Sequence, residues 1–102
     1  MPILHTVNKT PFERNSLQRC LSMASDGSSV LLIEDGALGA VAGTSMESVV
    51  SAAVGRLKIF VLGPDLAARG MDEARVIAGI GVVDYGGFVD LAAEHSTVQA
   101  WL

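Results

Sequence analysis

The chain has 102 residues, 50% of them hydrophobic and only 18% charged, with a formal net charge of −4 at pH 7. This excludes a disordered chain and supplies the core of one compact domain spanning residues 1–102. The seven basic residues are scattered, which excludes an electrostatic footprint for nucleic acid.

No apolar run approaches the roughly 18 residues of a membrane-spanning helix, and no basic flank precedes a hydrophobic signal core. The expectation is a cytoplasmic chain with no membrane partner. A mean hydropathy of +0.45 is high for a small domain, whose surface dominates, and predicts that another subunit covers part of its apolar surface.

Ile3 to Val7 reads as the first strand. Thr10, Pro11 and Glu13 have the form of a helix start, with Thr10 as N-cap and Pro11 at the first helical position, and the helix is expected to reach Ser25 before Asp26 and Gly27. Val30 to Ile33 is continuously apolar, as a strand at the centre of a parallel sheet should be. A small-residue helical turn follows Glu34, Asp35 and Gly36, and a capped helix from Thr44 or Ser45 to Val54 ends at Gly55.

Leu57 to Leu62 is the third expected strand. Pro64 and Asp65 open a short helix that ends near Gly70, and a further turn carries Asp72, Glu73 and Arg75. Ile80 to Val83 is the fourth strand, and a last helix is expected from Phe88 to His95. The tail from Val98 to Leu102, anchored by Trp101, is suited to an edge strand or to a partner's surface. Strands alternating with helices predict an α/β fold, a three-layer α/β/α sandwich around a mostly parallel sheet of about five strands.

Chemistry has one main candidate. Cys20 is the single cysteine, so it forms no internal disulfide, and its options are sulfur carriage, thiol exchange or redox sensing. Its helical neighbours Ser16, Leu17, Met23 and Ala24 offer neither base nor cation, and Arg19 points about 100° away. The local sequence therefore favours a small core residue beside Leu17, Leu21 and Ala24 over a reactive thiolate.

Other constellations are weak. Gly36 and Gly39 lack the spacing of a phosphate-binding loop and read as flexible loop positions. His5 and His95 lack close ligand partners, so no metal site is expected. Asp35 and Asp84 follow strands and read as helix caps. A small-anion site at the strand ends is the weakest possibility.

The runs LHTVNKTPF at 4–12, LLIEDG at 31–36, DLAARG at 65–70, VDYGGFVDL at 83–91 and the terminal Trp101–Leu102 strongly resemble the TusB/DsrH family, in the right order over nearly the whole chain. The resemblance implies an α/β/α subunit of a cytoplasmic sulfur relay without cofactors. Its implied partners are TusC/DsrF-like and TusD/DsrE-like subunits in a dimer of heterotrimers, with a TusE/DsrC-like sulfur acceptor. The principal sulfur-carrying cysteine of such a relay lies on the TusD/DsrE-like subunit.

Members of the DsrH branch carry a cysteine in the first helix, so Cys20 favours sulfur oxidation, with Cys20 as the candidate catalytic residue that carries persulfide sulfur. The alternative is a non-catalytic structural subunit of the equivalent relay for 2-thiouridine in the tRNA wobble position, with Cys20 as packing.

Overall fold

In the computed structural model, which describes residues 3–102, five strands form one all-parallel sheet. They are β1 (Ile3–Val7), β2 (Ser29–Leu32), β3 (Lys58–Leu62), β4 (Gly81–Val83) and β5 (Thr97–Trp101), in the order β4-β3-β2-β1-β5. The apolar run at Val30 does occupy the centre, and β2 is buried at every residue. The tail is an edge strand, with Val98 beside Leu4 and Trp101 beside Val7.

The four α-helices are α1 (Ser16–Met23), α2 (Glu47–Val54), α3 (Gly63–Ala68) and α4 (Tyr85–Glu94). Leu17, Cys20 and Leu21 of α1, Val50 and Ala53 of α2 and Leu66 of α3 pack with Val7, Val30, Leu32, Ile59 and Val61 on one face of the sheet. On the other face Leu91 of α4 closes over Leu4 and Leu31, with Phe60, Val83 and Phe88 packed around them. Alternate strand residues face alternate layers, so the apolar runs of a two-sided sheet feed both cores. The result is the expected three-layer sandwich.

Two helix starts need correction. The first helix starts at Ser16, not at Thr10: Glu13 and Arg14 donate their N–H groups to the Thr10 carbonyl, closing a separate turn. Phe12, Glu13 and Arg14 are exposed, so that turn has no apolar face to hold it in line with α1. The last helix begins three residues before Phe88, because the Asp84 carboxylate accepts from the Gly87 N–H at 2.8 Å and sets the N-cap there.

Gly36 and Gly39 are not flexible positions. A Cβ on Gly36 would lie 2.1 Å from the Val7 carbonyl oxygen, and one on Gly39 would lie 2.5 Å from Leu17 Cδ2. Glycine is needed there because the 3-10 segment Glu34–Ala40 lies directly on β1 and α1. Backbone approach, rather than mobility, explains both residues.

Arg56, just past α2, ties α1 to this core. Its guanidinium donates to the carbonyls of Leu21 and Ala24, the latter at 2.6 Å, and pairs with Asp26 at 3.1 Å. Carbonyls at a helix C-terminus lack intrahelical partners, and an arginine fork from a neighbouring element satisfies them.

Candidate functional site

Cys20 lies on the inner side of α1 with none of its surface exposed. Burial penalises the thiolate and pushes the thiol from its ordinary value of 9.0 up to about 12. Arg19, next in sequence, is exposed, so it lies outside this apolar environment. Within this chain the thiol is therefore protonated at neutral pH and closed to a donor, the opposite of the electropositive, partly exposed setting that activates a cysteine.

Both histidines are engaged in packing. Trp101 Nε1 is always a donor, so its 3.0 Å bond to His5 Nδ1 requires the neutral ring with its proton on Nε2. Burial lowers the pKa of His5 from 6.5, which favours that neutral state. His95 donates from Nδ1 to the Leu91 carbonyl at 2.6 Å, and its Nε2 shares a 3.0 Å hydrogen bond with the Ser29 hydroxyl. Among the described residues, no three His, Cys, Asp or Glu side chains are grouped so as to hold a metal ion.

The C-terminal edge of the sheet, where α/β folds usually place ligands, is knitted together by the sequence runs singled out above. Glu34 adopts φ 51°, a left-handed conformation uncommon for a residue with a side chain, and its N–H donates to the Asp65 carboxylate at 2.6 Å. Asp35 does not cap a helix; it pairs with Arg69 at 2.9 Å. LLIEDG and DLAARG are thus two sides of one clasp between β2 and α3.

VDYGGFVDL supplies the α4 cap, and Trp101 of the terminal pair binds His5 of the first run. None of these five runs contains Cys20. Beside the clasp, a cavity of about 620 Å³ is lined by Gly63, Pro64, Ala67, Val82 and Val83 with Glu73 and Asp84. Its charged residues are carboxylates, which disfavours an anion.

Sequence reasoning missed the His5–Trp101 bond, the Arg56 tether and the Glu34–Asp65 contact. Trp101 as an anchor was the one signal available for the first; the other two join residues about thirty positions apart and leave no local pattern.

Comparison with known proteins gives consistent results. A family model described as "DsrH like protein" matches residues 9–98. Protein TusB of Pectobacterium parmentieri is 33% identical over 100 residues, covering 97% of this chain and 100% of that one. Protein TusB of Escherichia coli O1:K1 / APEC is 35% identical with the same coverage.

Among solved structures, the ychN protein of E. coli superimposes with a TM-score of 0.83 at 13% identity over 98% of each chain. MTH1491 from Methanobacterium thermoautotrophicum follows with a TM-score of 0.74 at 18% identity over 97% of each. These two likenesses show a shared fold. The family model and the full-length TusB relatives together establish that the chain belongs to the DsrH/TusB family.

Proposed function

We propose that the chain is a non-catalytic, structural subunit of a cytoplasmic persulfide relay that serves 2-thiouridine formation at the tRNA wobble position. It assembles with TusC/DsrF-like and TusD/DsrE-like subunits as a dimer of heterotrimers and presents their cysteine to a TusE/DsrC-like acceptor. Transfer is a thiol–persulfide exchange: the acceptor thiolate attacks the terminal sulfur of the donor persulfide, the S–S bond breaks, and the donor leaves as thiolate. The exchange is redox-neutral and needs no cofactor.

The observation that carries this reading is the burial of Cys20, whose pKa of about 12 leaves no thiolate at neutral pH to accept sulfur. The runs that mark the family build the sheet's C-terminal edge and do not include it. The name TusB of the relatives belongs to the thiouridine side of the family, which favours that side over sulfur oxidation. Among the described residues, no helix is long and apolar enough to cross a membrane, in keeping with work in the cytoplasm.

The test is sulfur transfer from the assembled complex to the acceptor, with Cys20→Ser compared to wild type. Transfer within about twofold of wild type is expected; a loss of roughly tenfold or more, in a complex of unchanged mass, returns Cys20 to the role of sulfur carrier.

A further inference from the structure

β5 is the outermost strand and bonds to β1 alone. Thr97, Val98, Gln99 and Ala100 are exposed, and Trp101 is the β5 residue that packs on the core beneath α1. Its indole N–H donates to His5 Nδ1 at 3.0 Å, and the Leu102 carbonyl beyond it accepts from the Ser16 hydroxyl at 3.2 Å. Side-chain anchorage of β5 is thus gathered at its C-terminal end.

The His5 end of this bond has no provision for a positive charge. His5 is 4% exposed, between Val30 of β2 and Gln99 of β5. The neutral ring accepts from Trp101 at Nδ1, and its Nε2 has no partner among the described residues. A proton on Nδ1 sets two donors against each other and leaves both ring N–H groups without an acceptor, which is costly in a buried site.

The elements packed on β1 give that charge no relief. β2 and β5 carry no charged or titratable residue, and α1 carries Arg19, an exposed cation, and Cys20, a neutral thiol. None of them offers a carboxylate to an imidazolium.

We propose that the His5–Trp101 bond is a latch that acid releases, freeing β5 while the other four strands stay paired. Val30, with no exposed surface, closes the β2 side of His5, so the shorter way to water lies past β5. Opening β5 hydrates the imidazolium, gives its N–H groups water as acceptor, and breaks the backbone bonds of one strand only. Burial lowers the His5 pKa from 6.5, so the latch is closed above that value and gives way as pH falls through the folded-state one.

The experiment is hydrogen exchange with mass spectrometry on the full chain, from about pH 7.5 to about 4.5, read as protection factors with the intrinsic pH dependence removed. Protection of the β5 amides is expected to fall by up to roughly tenfold per pH unit once His5 titrates. The β2 and β3 amides should stay at least about a hundredfold better protected than β5 at the acid end, with the far-UV circular dichroism of a folded chain.

His5→Asn keeps an acceptor for the indole and does not titrate, so its β5 protection should stay within about threefold across the series. Trp101→Phe keeps an aromatic ring but has no N–H, and its β5 protection should already be roughly fivefold lower at about pH 7.5. Wild-type β5 protection that does not fall, a fall of equal size in His5→Asn, or β5 and β2 amides that share one protection factor throughout overturns the proposal.

Discussion

Among the described residues, nineteen buried side chains form the core between the sheet and α1, α2 and α3, whereas three buried side chains form the core beneath α4. The first side seals its contents, Cys20 included. The second leaves Tyr85 61% and Val89 67% exposed on α4 itself. Burial stabilises in proportion to apolar area removed from water, so the stability of the chain is concentrated on the α1 side. The α4 side and the β5 edge keep apolar surface exposed.

Substitutions that violate the close contacts of the α1 side should have the largest effect. Gly36→Ala drives a methyl group to within 2.1 Å of the Val7 backbone oxygen, and a destabilisation of about 3 kcal/mol or more is expected in urea unfolding. A change below about 1 kcal/mol would mean that the 3-10 segment moves freely, contrary to a sealed core. Leu32→Ala, at a position with no exposure, should follow at about 2–5 kcal/mol. Arg56→Ala leaves the Leu21 and Ala24 carbonyls without their donor and should cost about 1–3 kcal/mol. Val89→Ser on the open side should change stability by no more than about 0.5 kcal/mol, and a larger loss would show that α4 is more closely packed than its exposure indicates.

Two titrations sharpen the contrast. Cys20 has a raised folded-state pKa, so its contribution is complete below 9.0 and is lost as pH rises toward about 12. Stability should fall with a slope of at most about 1.4 kcal/mol per pH unit in that window, and Cys20→Ala should remove this slope. His5 has the opposite sign. Its folded-state pKa is lowered, so its contribution is present above 6.5 and is lost as pH falls through the folded-state value. Protonation of Nδ1 also breaks the Trp101 bond, so indole fluorescence should change with this loss in wild type but not in His5→Phe. An unchanged profile in that variant would assign the acid sensitivity elsewhere.

Much of the sheet was legible because its strands are β-branched or leucine runs bounded by turn residues, and the continuous run at Val30 announced a strand buried on both faces. The core position of Cys20 was legible as one of two options, since Leu17, Leu21 and Ala24 surround it on the helix. The start of α1 was not, because Thr10 and Pro11 carry the local signals of a helix whose continuation depends on burial that Phe12 and Arg14 do not have. Gly36, Gly39, Asp35 and His5 were misread or left open for a common reason. Their roles are set by groups from other elements, namely Val7, Leu17, Arg69 and Trp101, and local spacing does not report such contacts.

The most direct measurement is intact-mass spectrometry of this chain, co-purified with its partner subunits and exposed to a persulfidated donor, with Cys20→Ser alongside. The account predicts added sulfur on a partner subunit and none on this chain, in a complex that stays assembled. A reductant-labile sulfur mass on the wild-type chain that is absent from Cys20→Ser would contradict it.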